Sequence, residues 1–442
     1  MTTPSNQAPP ERQEMSLTTD EQFLQACSTE NIDPHDAEKR IRAGTLVFPR
    51  CSTSRHSSAF TPILIGSGTR AKVTALIGLG PRDTDRDAIT QTMNVILAAR
   101  PDAIMDLTTN PAGIALRHEL KDIVNVPLAA CLTYDLFTNP RKRLSRNEFL
   151  DRFENGLAGG LLDFVLIHIG MTPALADRMA RSDRVMPTTS RGGGLIARYM
   201  RLNHCGNPLI EFLDGIIDVC RRTGVTLDLG DIFRPGCAHD AGDDLKWAEI
   251  QLQAELRKEL LRGGVQVLCE TGGHMPLHRI PELIPAYKAA LGGAPLWLAG
   301  PMVIDNAVTL DDTVNTLGIL TAGQHGGDMF DSITHNEHYA MPTAADTATA
   351  LRVARVAITA LEVARGNDSE TARQHRMSVA RRANAWTVQA DEALYPDLAN
   401  QVFIQHGLKE GAPCTICGQF CPHVITPKKA PINTEIADAR EH

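Results

Sequence analysis

Cys414, Cys417 and Cys421 stand in the string Cys-Thr-Ile-Cys-Gly-Gln-Phe-Cys-Pro-His near the end of a 442-residue chain. Three thiolates so close together can hold three irons of a four-iron, four-sulfur cluster and leave the fourth iron open to a small ligand, whereas electron-transfer ferredoxins supply a fourth cysteine. An open iron points to chemistry rather than electron storage. His423 follows Cys421 by two residues, so the same stretch can also close a tetrahedral structural zinc site. Spacing alone leaves both readings open.

Further upstream, Ser190-Arg191-Gly192-Gly193-Gly194 precedes Leu195-Ile196-Ala197-Arg198. Exposed glycine amides at an expected helix start, with a hydroxyl and a guanidinium beside them, suit a phosphate, although a glycine run is also a common plain turn. The string from Asp228 to Gly236 offers two carboxylates, Asp228 and Asp231, with Arg234 three residues after the second. It reads as a substrate contact or as a salt-bridged turn. Glu270-Thr271-Gly272-Gly273-His274 and the later Glu337-His338 bring two histidines from separate segments, and such a pair can share zinc or a similar divalent ion with positions left open. His335 is an alternative partner, and a lone histidine is more often a surface or hydrogen-bonded residue.

These strings need elements that bring them together. From residue 72 onward, short β-branched or apolar runs alternate with longer stretches of helical period. Strands are expected near Val73–Ile77, Ala103–Met105, Val126–Leu132, Phe164–Ile169, Arg184–Met186, Val225–Leu229, Val265–Cys269 and Leu296–Leu298. Eight such units are the count of a closed parallel (β/α)8 TIM barrel, an α/β fold whose strand C-termini share one rim. There Asp106, Tyr134, His168, Ser190, Arg234, Glu270 and His274 would meet. A doubly wound sheet is the rival, but Gly78-Leu79-Gly80-Pro81 lacks the glycine spacing of a dinucleotide turn.

The expected organisation is a disordered lead over residues 1–20, a small N-terminal region over 21–71, the barrel over 72–344, a helical arm over 345–399, a cysteine-bearing segment over 400–426 and a mobile tail over 427–442. Asp33-Pro34 can start a helix that Gly44 ends. The arm suits packing or a dimer contact, and a cluster on it must dock onto a barrel mouth, its own or a neighbour's.

Composition supports a soluble globular protein. Apolar residues make up 43% of the chain, enough for a large core, and 44 basic against 52 acidic side chains give a charge of −8. No basic stripe offsets that balance, which argues against a nucleic-acid partner. No window approaches the roughly 18 apolar residues of a membrane span, and the first residues lack a secretory pattern. The other seven cysteines, Cys27, Cys51, Cys131, Cys205, Cys220, Cys237 and Cys269, are scattered, several of them in apolar runs, so a reducing cytoplasm is the simplest setting.

Over residues 32–425 the ordered strings resemble phosphomethylpyrimidine synthase of thiamine biosynthesis and its relative 5-hydroxybenzimidazole synthase. Arg42-Ala43-Gly44-Thr45-Leu46-Val47-Phe48-Pro49 is similar to the family's entry segment, Lys72-Val73-Thr74-Ala75-Leu76-Ile77-Gly78 to its Lys-Val-Asn-Ala-Asn-Ile-Gly strand, and Met105-Asp106-Leu107-Thr108-Thr109 to Met-Asp-Leu-Ser-Thr. Ser190-Arg191-Gly192-Gly193 matches outright. Asp231 and Arg234 fall on Asp-Gly-Leu-Arg-Pro, Glu270 and His274 on Glu-Gly-Pro-Gly-His, and Glu337-His338 with Pro342 on Glu-His-Leu-Gly-Leu-Pro.

The resemblance implies a radical S-adenosylmethionine lyase on a (β/α)8 barrel, acting on aminoimidazole ribotide as a homodimer that shares cluster arms, with an electron donor protein. It implies that Cys414, Cys417 and Cys421 hold a 4Fe-4S cluster, that the cosubstrate's methionine part chelates the open iron, and that one electron releases a deoxyadenosyl radical for hydrogen abstraction. It assigns zinc or another divalent metal to His274 and His338. It assigns substrate contacts to Met105, Tyr134, His168, Ser190, Arg191, Gly192, Asp231, Arg234 and Glu270.

Several positions depart from the family pattern. The second cysteine gap, Gly418-Gln419-Phe420, is one residue shorter. Leu76 replaces a substrate-binding asparagine and Trp297 a tyrosine, and residues 305–312 lose a tyrosine and a histidine. An altered-product or benzimidazole-forming paralogue is one alternative. A phosphate-ligand binding protein, or a metal-dependent lyase, with structural zinc is another.

Overall fold

In a computed structural model, which describes residues 17–51, 59–140, 142–157 and 159–426, alternation within each short strand builds the architecture. Eight parallel strands close into a barrel: β1 Lys72–Ile77, β2 Ala103–Asp106, β3 Leu128–Cys131, β4 Phe164–Ile167, β5 Thr226–Leu229, β6 Val267–His274, β7 Leu296–Met302 and β8 Met329–Asp331. Successive side chains of a strand point to opposite faces. Thus Val73, Ile104, Leu227 and Leu298 pack outward against the helices. Ala103, Met105, Phe164, Leu166, Leu268, Trp297 and Met329 fill the inside.

The N-terminal end of the barrel is plugged. An antiparallel ribbon, Leu46–Val47 with Ile65–Gly66, sends Val47, Ile63 and Ile65 into the interior cluster. Asp33 caps the helix Pro34–Arg42, whose chain then turns at Gly44 with φ 76°. Leu17–Thr19 form a turn of 3-10 helix and Asp20 caps Glu21–Glu30, so the ordered chain reaches back into the expected lead; residues 1–16 of that lead, and the expected tail over 427–442, lie outside the described residues.

The strand count agrees with the sequence reading, but one strand was misplaced. Arg184–Met186 is not a strand. The amides of Val185 and Met186 each donate to the Asp240 carboxylate at 3.0 Å instead of to a ladder, and Arg184 clasps Asp243 with two bonds of 2.6 Å. The missing strand is β8, which pairs with β7 and with β1 and thereby closes the sheet.

After β8 the helix Ala344–Ala364 runs from the mouth back toward the plugged end, where Arg365 Nη2 donates to Gly323 O at 2.7 Å. The helices Asp368–Ala383, Trp386–Asp391 and Pro396–Gln405 follow, and Tyr395 Oη donates to Ala99 O at 3.1 Å, just before β2. The arm is therefore fastened at the end of the barrel opposite the rim. Among the described residues no helix is long and apolar enough to cross a membrane.

Charge is buried deliberately in this core. Arg117, fully buried, holds Asp106 at 2.8 Å and Asp135 at 2.7 Å, tying its helix to β2 and to the helix after β3. Asp228 is the contrary case. Its neighbours Leu227 and Leu229 face outward, so its side chain points into the barrel, fully buried, and neither carboxyl oxygen has a hydrogen-bond partner. Burial first, then the proximity of Glu270, Asp331 and Asp231, raises its pKa well above the usual carboxylate range.

The native chain therefore keeps a proton that the unfolded chain releases above about pH 3.9. Stability from Asp228 is full below that value and falls as pH rises toward the folded one. Asp228→Asn removes the dependence. Whatever the offset between the two proteins at pH 5, thermal unfolding should show the gap moving in the variant's favour by on the order of 1 kcal/mol or more by pH 8.

Candidate active site

The mouth of the barrel holds a cavity of about 230 Å³ that opens beside a larger groove of about 830 Å³; Leu76, Leu107, Arg191 and Glu337 border both. One end of the cavity is built for an anion. The helix Arg191–Asn203 starts at Ser190, whose Oγ accepts from Gly193 N at 3.1 Å. Its remaining first-turn amides and the Arg191 guanidinium give that end a positive potential. Arg191 lies 5.4 Å above the Tyr134 ring, a cation–π contact that fixes the guanidinium at the mouth.

Gly192 is required here for a steric reason. A Cβ at that position would stand 2.2 Å from the His168 ring, so the imidazole rests directly on the glycine backbone. His168 is buried, and burial, reinforced by Arg234, pushes its pKa down to about 3. The backbone N–H of His168 donates to Thr133 Oγ1 at 2.9 Å, and the ring Nδ1 lies 3.1 Å from the same oxygen. With the threonine hydroxyl donating to Nδ1, the neutral ring carries its proton on Nε2.

The opposite wall is acidic. Glu270 Oε2 accepts from Asp231 N at 2.7 Å, and Glu270 Oε1 lies 3.4 Å from Arg234 Nη1. Glu249 accepts from the amides of Ile232 and Phe233 and from Lys246 Nζ, which also binds Asp231 Oδ1 at 2.5 Å. These bonds clamp the loop after β5. Trp297 Nε1 donates to Asp331 Oδ1 at 2.9 Å, and both residues line the cavity.

Two histidines meet at the edge. β6 bulges at Gly272 and Gly273, with φ 125° and 75°, where only glycine is unstrained. His274 follows the bulge, and its Nε2 stands 3.4 Å from His338 Nε2. Each ring is held from behind: His274 Nδ1 contacts Asp305 Oδ1 at 2.8 Å and His338 Nδ1 contacts Asp311 Oδ2 at 3.0 Å. A carboxylate only accepts, so each Nδ1 carries the hydrogen, and in the neutral tautomer each ring turns its Nε2 lone pair toward the other. Two lone pairs at that distance repel unless a cation lies between them. Nitrogens each about 2.0–2.1 Å from a tetrahedral zinc stand roughly 3.3 Å apart, so the pair fits one divalent ion.

The three cysteines lie on the arm, away from the cavity lining. Cys414 and Cys417 are half-buried and Cys421 is buried. The amides of Ile416 and Cys417 point at the Cys414 sulfur and lower its pKa. Thiolate-stabilising amides of this kind suit a metal-bound sulfur. Ile416, Phe420, Val424 and Ile425 are exposed around them, at 90%, 71%, 56% and 61%. Among the described residues no three His, Cys, Asp or Glu side chains converge on one point.

Of the residues singled out from sequence, Met105, Tyr134, His168, Arg191, Arg234 and Glu270 line one cavity together with His274 and His338. Three do not. Ser190 is turned to its own helix, Gly192 supports His168, and Asp231 faces Lys246 rather than the cavity. Asp331, Asp305 and Asp311 were not recognised as site residues, though Asp305 and Asp311 lie in the departing segment 305–312. Asp331 closes the unrecognised strand, and no local pattern marks it.

The Radical SAM ThiC family matches residues 13–428. Phosphomethylpyrimidine synthase of Geobacter metallireducens is 30% identical over 411 residues, covering 92% of this chain and 94% of that protein. Phosphomethylpyrimidine synthase 2 of Syntrophotalea carbinolica is 31% identical over 419 residues, 93% and 96% of the two chains. Phosphomethylpyrimidine synthase of Thermus thermophilus is 31% identical over 407 residues, 91% and 93% of the two. A likeness that runs almost end to end through both partners, on a barrel with its candidate site at the expected rim, has one reading: this chain is an enzyme of the Radical SAM ThiC family.

Proposed function

We propose that the enzyme rearranges aminoimidazole ribotide, or a close analogue, to the phosphorylated pyrimidine of thiamine biosynthesis, as a carbon–carbon lyase. The observation that carries the reading is the approach of His274 Nε2 and His338 Nε2 to 3.4 Å in the cavity that Arg191 also lines. A phosphorylated substrate then bridges the two ends of one cavity. Arg191 and the amides behind Ser190 and Gly192 take the phosphate. His168 Nε2–H, Tyr134, Met105, Glu270 and Arg234 surround sugar and ring. Asp231 acts as a positioning residue, through its amide on Glu270.

Cys414, Cys417 and Cys421 hold a 4Fe-4S cluster, which with S-adenosylmethionine supplies one-electron cleavage of the sulfonium and a deoxyadenosyl radical. The chain's own task is alignment and exclusion of water. An electron donor protein is the partner this chemistry needs. Leu76 and Trp297 favour a second reading, a benzimidazole-forming or otherwise altered product, because both change the walls that meet the ring.

Anaerobically reconstituted protein should be brown and form deoxyadenosine on reduction, and labelled aminoimidazole ribotide should give a pyrimidine phosphate by mass spectrometry. Cys417→Ala should abolish cluster absorbance and deoxyadenosine while circular dichroism stays unchanged. A protein that carries only zinc on its cysteines, stable in air, contradicts the proposal. A benzimidazole product selects the second reading.

The carboxylates behind the histidines fix tautomer and orientation, so Asp311→Asn should weaken divalent-metal affinity roughly 10–100-fold in a chelator competition. Loss of less than that would mean the histidines are held by packing alone.

Because the arm is fastened at the far end of the barrel, its cysteines serve the mouth of a second copy in a homodimer. Cys417→Ala and Glu270→Gln proteins, each inactive alone, should regain turnover when mixed under conditions of subunit exchange. A mixture as dead as its components would place the arm on its own barrel.

A further inference from the structure

The acidic floor of the cavity contains two groups, Asp331 and Asp228, for which the reaction, as proposed, has no use. Asp331 ends β8, is 5% exposed and is held by the Trp297 indole at 2.9 Å. Glu270 lines the same cavity from β6. Beneath them Asp228, fully buried and directed to the barrel interior by the outward Leu227 and Leu229, has no partner on either carboxyl oxygen. Burial is the largest cause of a raised pKa at each of the three; Glu270 adds to it at Asp228 and at Asp331, and Asp331 adds to it at Asp228, so the floor resists carrying three negative charges. Arg234 faces Glu270 at 3.4 Å; Lys246 is taken up by Asp231 and Glu249. On the neighbouring strand β1, Leu76 presents an apolar wall.

The consequence is a polarised pocket. Its positive end, at Arg191 and the helix start, takes an anion. Its other end carries the carboxyls of Glu270 and Asp331, of which Asp331 takes the Trp297 indole on Oδ1. A ligand edge with N–H groups gives Asp331 a further donor, while an edge with only C–H gives it none.

We propose that Asp331, oriented by Trp297 and backed by Asp228, is a specificity-determining residue that selects phosphorylated nucleotides whose ring edge presents an amino or amidinium N–H. This deepens the ribotide reading of the cavity and rests on it. Asp331 reads the ring, not the phosphate, and Leu76 directs that reading to the β8 side by offering the ring no polar partner on β1.

The test is equilibrium binding to the reconstituted protein without S-adenosylmethionine, by calorimetry and by tryptophan fluorescence. The probes are aminoimidazole ribotide, the imidazole ribotide that lacks the amino group, ribose 5-phosphate, and the two free heterocycles, aminoimidazole and imidazole. Wild type should prefer the amino-bearing ribotide by roughly 10–100-fold. Asp331→Asn should bring that preference close to parity while leaving ribose 5-phosphate affinity unchanged, which also shows that the variant is folded. Trp297→Phe should lose the fluorescence response and part of the preference.

Equal wild-type affinity for the two ribotides overturns the proposal, as does a preference that Asp331→Asn preserves. Should ribose 5-phosphate and both ribotides fail to bind, the ribotide reading falls. The free heterocycles then decide the floor on their own: a preference for aminoimidazole that Asp331→Asn removes supports it, and indifference between them rejects it.

Discussion

The ladder between β8 and β1 closes the sheet, and the placement of every side chain at the mouth follows from that closure. Met329, Phe330 and Asp331 pair with Lys72, Val73 and Thr74 on one side, and Met329 and Phe330 with Trp297 and Leu298 on the other. A closed parallel sheet has no free edge and brings all its C-terminal ends to one rim. It also obliges alternate residues to face inward. In most strands these are apolar, but β5, β6 and β8 carry Asp228, Glu270 and Asp331. The barrel thus concentrates three acids from distant parts of the chain in one dry volume.

Such a concentration is tolerable only with compensation, and the compensation shapes the site. Arg234 stands at Glu270, the Trp297 indole donates to Asp331, and protons remain on groups that would ionise in water. Removing charge in this way costs less than pairing each acid with a buried base. The anion-binding helix start lies across the cavity, so the two ends differ in sign as well as in hydrogen-bonding sense. That polarity orients a zwitterion-like ligand before any contact is optimised.

The chemistry of the rim was legible in the sequence where it depended on local backbone. Gly192 leaves room for His168, and Gly272 and Gly273 bulge the strand before His274, so these glycines announce close approaches that a reader can find in one line of text. Strand identity was less legible. Val185 and Met186 look like a strand interior, yet Val185 is 63% exposed, and Asp240, 55 residues away, takes its amide. Met329–Asp331 is three residues long, follows two glycines and ends in an acid, so its pattern is weak. Long-range pairing was invisible altogether. Nothing near Asp231 in sequence shows that Lys246 will turn it from the cavity. Residues 305–312, which the resemblance marks as having lost polar contacts, supply Asp305 and Asp311, the two carboxylates that lock the histidine rings.

The arm obeys a different constraint from the barrel. Tyr395 donates to Ala99 O, Arg100 reaches Leu394 O at 3.4 Å, and Arg373 binds the carbonyl of Glu392 at 2.9 Å, all near the plugged end. The cysteine turn that follows is not among the residues that line the cavity. The exposed Ile416, Phe420, Val424 and Ile425 would be a liability on a segment that stayed in water. A contact that covered them would also carry the cysteines to the surface they cover. A groove of about 830 Å³, lined by Ile77, Leu79, Ile89 and Leu195 and continuous with the cavity through Leu76 and Leu107, offers apolar surface of the matching kind. A segment docked there would also close the cavity from solvent.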